Sequence, residues 1–493
     1  MPLRGEFSAG KGDAQLHAYV RELRSAQANA YLGHPAVNIE EIDETYSDLL
    51  DDAAFSEELV RLNGGFQPAA SLRLLFRFAG RLRRETERLG ADVNNEGSLA
   101  SREKADICNA LRTETSAVER QLLHQRIVSD ASCRAPAFFQ RRLCMDTLCE
   151  TLRLGKGYAA VVASLIGVSS PWLRHCAQAI LNGTQAFYFE ERDYWWGAGG
   201  EPTQDADLTF LMFRAGPSPN EYADLSAAIC YLFSQAYVGG CQVSQIKLDT
   251  LQRSGKTPRP FTAPVDPPAH VIVSSRPGGS TRDLSEILHE IGHGLAFAGI
   301  SSDVTWESKL LWFDAVQEIS AFLCAFLGQK SSFLDELIGT SNKAAQDIAR
   351  YNRFLECYLV RKHACLALLS LAECDIRSDF GSRAASLLLE HTGVLIAPTI
   401  ARTAIEDELM SCSYLLGWMT AAQLQSRLDL TFPSGWWRAP KAWYELAHFW
   451  ASGGIDFDTA VSRIVPHDDA GGRNGWAMSY YRPLVSLFSL RDH

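Results

Sequence analysis

His289 and His293 stand four residues apart in His289-Glu290-Ile291-Gly292-His293, a spacing that puts two imidazoles on one face of a helix, where both can reach a single metal ion. Glu290, between them, is placed to address a water held by that metal and to act as its general base. Glu318 lies 25 residues beyond His293, in Trp312-Phe313-Asp314-Ala315-Val316-Gln317-Glu318-Ile319-Ser320-Ala321, a segment that also reads as helix. As a third protein ligand it leaves a fourth position open, the arrangement of a catalytic rather than a structural zinc site. The expected cofactor is one Zn2+ per chain, held by His289, His293 and Glu318, which lowers the pKa of bound water and polarises a carbonyl oxygen. Two ordinary helix histidines beside a solvated glutamate would leave the helical setting of Glu318 without a purpose.

The elements that must position these residues are legible nearby. Ser280 with Asp283 three residues on reads as a helix N-cap with a carboxylate at N3, so the signature helix is expected from about Thr281 to Ala298, with Gly299 as its stop. His270-Val271-Ile272-Val273-Ser274 is short and β-branched, the best strand candidate in the chain. A second helix, expected from Trp306 to Leu327 and closed by Gly328, carries Glu318. Residues 14–190 read as long amphipathic helices, for example Leu72 to Leu89 and Glu103 to Ile127, and Leu208 to Arg214 is either a short strand or a helix start. Helices return from Ala223 to Tyr237, from Lys343 to Leu389 and from Ala401 to Leu428. The aromatic and then glycine-rich stretch 192–202 marks a boundary, dividing the chain into an N-terminal helical region, 1–200, and a catalytic region, 201–493.

Composition excludes several function classes. At 493 residues and 46% hydrophobic content the chain can bury a large core, and its net charge of −11 argues against a nucleic-acid or anionic-membrane partner. No run of 18 apolar residues appears, and Met1-Pro2-Leu3-Arg4-Gly5-Glu6 opens no apolar secretion signal. The twelve cysteines are scattered, without a Cys-x-x-Cys pair, and read as reduced, mostly buried small hydrophobes. A cytoplasmic protein is expected.

Asp249 through Leu295 resembles the core of the thimet oligopeptidase and oligopeptidase F family of zinc metallopeptidases. The features shared are Gly255-Lys256, the strand at Val271, the helix with His289-Glu290-Ile291-Gly292-His293-Gly294, and the 25-residue step to Glu318. Thermolysin-like enzymes would place the third ligand near Phe313, where nothing can hold zinc. Tyr414-Leu415-Leu416-Gly417-Trp418 is similar to the family's tyrosine-bearing helix, and Ala451-Ser452-Gly453-Gly454 before Asp458 to a glycine turn that follows it, so the likeness covers about residues 205–465. It implies a mainly α, multi-helix metallopeptidase fold with a small β element beside the active-site helix and a deep substrate channel. It also implies a zinc metalloendopeptidase of oligopeptidase type, taking short peptides and using Glu290 as base.

The departures from that pattern are specific. A histidine and further tyrosines that precede the last tyrosine in the family are replaced here by Arg402, Asp407 and Ser411. Tyr414 alone remains as a phenolic donor, either to the oxyanion or as a half-buried helix tyrosine. Phe297 stands where many relatives carry another histidine. Where a carboxylate commonly orients a zinc histidine, this chain has Phe322 and Ala325, leaving Asp314 as a substitute or as a surface helix residue. His391, His448 and His467 read as satisfied or surface histidines, and Tyr480-Tyr481-Arg482 as core packing or channel lining. Three functions follow: a general oligopeptidase, a relative recruited to one biosynthetic peptide or amide, and a zinc-bound peptide binder with weak hydrolysis.

Overall fold

A computed structural model describes residues 9–34, 39–62, 68–91, 101–154, 157–166, 169–217, 225–251, 253, 256–257, 259–275, 279–338, 342–372, 380–404, 409–454, 457–464 and 480–489. Of the positions singled out above, Met1 to Glu6, Ala223, Gly255, Asp407 and His467 lie outside them. The fold is mainly α. Its N-terminal part includes α1 (Ala9–Leu32), α2 (Pro68–Ala91), α3 (Ala117–Thr151), α4 (Ser170–Trp196) and α5 (Asp205–Arg214). The run expected from Glu103 to Ile127 is broken. A helix at Ser101–Thr113 ends before Ser116, whose side chain caps the N-terminus of α3. Residues 208–214 are helical, part of α5.

Beyond α5 the chain forms a three-stranded sheet from β1 (Ile246–Asp249), β2 (Phe261–Asp266) and β3 (His270–Ser274). β3 is central, parallel to β1 with Ile246 opposite Val271, and antiparallel to β2 with Thr262 opposite Val273. Only β3 was legible as a strand, because Val271, Ile272 and Val273 form a continuous apolar run that is buried throughout. β2 contains Pro264, which a strand at the edge of a sheet tolerates. Lys256 fastens the connection. Its buried ammonium donates to the carbonyls of Asp249 and Ser275, both at 2.8 Å, and of Leu251 at 3.1 Å, tying the ends of β1 and β3 together.

Six more helices carry or brace the site or belong to its surroundings: α6 (Thr281–Ala298), α7 (Asp314–Ala325), α8 (Asn342–Leu371), α9 (Met410–Thr431), α10 (Pro440–Trp450) and the short C-terminal α11 (Arg482–Ser489). The single helix expected from Trp306 to Leu327 is two, Trp306–Leu310 and α7, separated by extended residues. Leu310, Leu311, Trp312 and Phe313 are all buried. The helices read from Lys343 to Leu389 are α8 and a helix at Phe380–Thr392, and those read from Ala401 to Leu428 are the end of a short helix, Pro398–Thr403, and α9.

The main hydrophobic core draws on both halves of the chain, uniting Phe78, Ile180 and Tyr188 with Phe322, Phe354 and Trp418. Tyr188 stacks on Phe354 and donates its hydroxyl to the Thr392 carbonyl at 2.6 Å. All described cysteines are free thiols, and burial pushes those of Cys149, Cys176, Cys324 and Cys357 up to about 12. Among the described residues no helix is long and apolar enough to cross a membrane.

Candidate metal centre

α6 begins at the capping box legible in its sequence. Ser280 Oγ accepts from the Asp283 N–H at 3.1 Å, and Asp283 Oδ2 accepts from the Ser280 N–H at 2.8 Å. α6 ends at Gly299, but this residue has ordinary right-handed helical geometry. Its lack of a side chain serves packing instead, since a Cβ would press on Trp450 at 3.0 Å.

Two other glycines set the distances that matter. A Cβ on Gly292 would lie 2.3 Å from the Ser320 carbonyl oxygen, and one on Gly417 would lie 2.5 Å from Glu318 Cβ. α6 and α9 thus close on α7 from two sides at backbone contact, and Glu318 is carried up to the histidines.

The three residues converge. His293 Nε2 is 3.2 Å from His289 Nε2 and 3.5 Å from Glu318 Oε1, and His289 Nε2 is 3.4 Å from Glu318 Oε2. Tetrahedral ligands about 2.0–2.1 Å from zinc stand roughly 3.3–3.4 Å apart, so the cluster has the dimensions of a zinc-binding set. Glu318 Oε2 is buried without a hydrogen-bond partner, which leaves a lone-pair donor aimed where a cation would sit. Among the described residues these are the only three His, Cys, Asp or Glu side chains grouped closely enough to hold a metal.

The electrostatics suit a cation. Burial holds His289 well below the ordinary histidine range, helped by His293 and Arg282, and lowers His293 to about 4 against the opposing pull of the Gln317 carbonyl. Both rings are therefore neutral at pH 7, with lone pairs available. Burial, with the nearby Glu290 and Asp314 carboxylates, raises Glu318 well above the carboxylate range. Burial also lifts Glu290 to about 7, with Glu286 adding to the shift and a hydrogen bond from Thr262 opposing it.

Glu290 does not share the ligand cluster. Its Oε2 lies 2.9 Å from Thr262 Oγ1 on β2, which is equally close to the Glu290 carbonyl oxygen, so one hydroxyl proton steadies either the helix or the carboxylate. Thr262 gave no signal in the sequence. Asp314 accepts from Gln317 Nε2 at 2.7 Å within its own helix. Phe322, where a carboxylate is usual, packs its ring 5.0 Å from that of His289.

Tyr414, on α9, stands beyond Phe322 with the rings 6.1 Å apart. Its nearest ring neighbour is His363 of α8, at 4.8 Å, a residue the sequence reading passed over because nothing in its local pattern distinguishes it. Other candidates are placed elsewhere. The His391 carbonyl receives the Arg361 guanidinium at 2.7 Å, and the Tyr480 hydroxyl donates to Thr420 Oγ1 at 3.0 Å inside the core.

Comparison with solved structures decides what kind of fold this is. Trypanosoma cruzi metallocarboxypeptidase 1 is 14% identical, with 98% of each chain covered and a TM-score of 0.60. A Pyrococcus furiosus carboxypeptidase is 12% identical over 99% of this chain and 100% of its own, with a TM-score of 0.61. The chain has a metallopeptidase fold. A Bacillus anthracis chain assigned to oligoendopeptidase F shares it, at 12% identity, with 99% of this chain and 87% of that chain covered and a TM-score of 0.55. The likeness thus spans carboxypeptidases and an oligoendopeptidase, a wider group than the thimet oligopeptidase and oligopeptidase F family. No protein-family model matches the sequence, and no curated protein does.

Proposed function

We propose that this protein is a zinc-dependent metallopeptidase that hydrolyses peptide bonds in short peptides. The observation that carries the reading is the convergence of His289, His293 and Glu318 at 3.2–3.5 Å with a buried, unpartnered carboxylate oxygen, inside a metallopeptidase fold. Zinc held there would polarise the scissile carbonyl and make water acidic enough to attack near neutral pH. Glu290 takes the proton of the attacking water and delivers it to the leaving amine. Thr262 orients the carboxylate. Tyr414 donates from its phenol to the oxygen that gains negative charge.

The oligopeptidase type of endopeptidase is retained as the finer reading, on the resemblance of Asp249–Leu295 and the 25-residue step to Glu318. Ser411 and Arg402, which stand in place of the family's donors, favour a second reading in which the enzyme serves one dedicated peptide or amide.

The test combines metal analysis with a library of quenched fluorescent peptides. One zinc per chain and turnover of many short peptides support the general enzyme, and a single narrow substrate supports the dedicated one. Internal cleavage marks an endopeptidase, and release of one C-terminal residue a carboxypeptidase. Zinc with peptide binding but no cleavage leaves a binding protein and removes the catalytic reading.

A further inference from the structure

His363 sits on α8, two residues beyond Arg361. Arg361 faces the core, donating to the Leu181 and His391 carbonyls and to Thr184 Oγ1. Two residues turn a helix by roughly 200°, so His363 points the other way, and its contacts show where. Its ring meets Tyr414 at 4.8 Å and Trp418 at 5.6 Å, while Trp418 stacks on Phe322 at 4.2 Å and Phe322 lies against His289. An unbroken layer of rings therefore runs from the histidine pair to His363. The charge of Arg259, just ahead of β2, also acts on it. β2 is the strand that holds Glu290 through Thr262.

Ser411 occupies a position at which the resembling family carries a larger polar side chain, and its Oγ is 3.1 Å from His363 Nδ1. The small side chain on α9 admits the imidazole from α8 and grips one of its nitrogens. Burial, with Lys362 and Arg259 nearby, drives the His363 pKa down to about 3, so the ring is neutral in the working range. When the Ser411 hydroxyl donates to Nδ1, the ring proton is on Nε2, and this is the tautomer the inference requires.

We propose that His363 replaces the missing donors of the site, its Nε2–H hydrogen-bonding the substrate carbonyl oxygen under attack, beside the Tyr414 phenol. The inference rests on the peptidase reading and assigns a catalytic role to a helix that contributes no metal ligand.

The test uses zinc-loaded, full-length protein, a cleavable fluorescent peptide, and a phosphinic peptide that mimics the tetrahedral state. His363→Ala should keep zinc, lower kcat about 100-fold with KM within about threefold, and weaken the phosphinic peptide by a factor similar to the loss in kcat/KM. His363→Gln, whose amide reaches as far as Nε2, should restore at least about a tenth of the wild-type rate. If the alanine protein does not fold, His363→Phe keeps the ring packing and removes the donor. A folded, zinc-bearing Ala or Phe variant with kcat within about threefold of wild type overturns the proposal, as does a Gln variant no better than Phe. Wild-type protein that holds zinc yet neither cleaves peptides nor binds the phosphinic peptide removes the peptidase reading, and this inference with it. Wild-type turnover with unaffected His363 variants removes the inference alone.

Discussion

Each residue of the site has a distinct failure. Glu318→Ala removes one of three ligands and should release the metal, seen as loss of stoichiometric zinc after dialysis; retained zinc would show that Glu318 is not a ligand. Glu290→Gln should keep zinc and lose hydrolysis by about 10²–10⁴-fold, because an amide cannot take the proton. The same variant has a pH signature in metal-free protein. The Glu290 carboxyl titrates at about 7 when folded and near 4.5 when unfolded, so the folded state holds the extra proton between these values and loses stability as pH rises through them. An amide at this position does not titrate and carries no such loss. The melting temperature of metal-free Glu290→Gln should therefore gain on that of metal-free wild type from about pH 4.5 to 7 and level off above; a pH-independent difference contradicts the raised carboxyl. Tyr414→Phe should lower kcat by on the order of 100-fold with little change in KM, and a change under about threefold would mean the phenol donates nothing in the transition state.

At the scale of elements, the site depends on how closely three helices approach. Gly417→Ala places a methyl 2.5 Å from Glu318 Cβ, so α7 and α9 must separate. We expect a cost of about 1–3 kcal/mol, typical of overpacking, and zinc affinity weakened by at least about tenfold, measured by competition with a chromogenic chelator. Unchanged affinity would show that the carboxylate finds the metal without this contact. The capping box and the β-branched strand were legible because a local pattern suffices: Ser280 and Asp283 satisfy one another's backbone groups, and Val271–Val273 form one apolar run. The edge strands β1 and β2 were not, because a partner strand imposes them.

For the whole molecule, α4 packs on α8, where Tyr188 stacks on Phe354, and on α11, where Phe187 meets Phe488, so residues 201–493 lean on the N-terminal helices. A fragment spanning 201–493 would expose the surfaces that bury Ile180, Leu181 and Tyr188. It should lack a fixed aromatic environment in near-ultraviolet circular dichroism and hold zinc poorly, whereas a native-like spectrum would show that the region folds on its own. By itself the sequence determined the mainly helical fold and singled out His289, Glu290, His293 and Glu318 as candidates, since helical spacing fixes which side chains share a face and a 25-residue step leaves room for a second helix. Thr262 and His363 were decided only by tertiary structure. Thr262 stands 28 residues from Glu290, and His363 stands 48 residues from Ser411, in a chain whose local pattern marks neither. They reach their partners only because β2 pairs at the sheet edge and α8 packs against α9, contacts set by burial across the whole core rather than by any neighbouring residue.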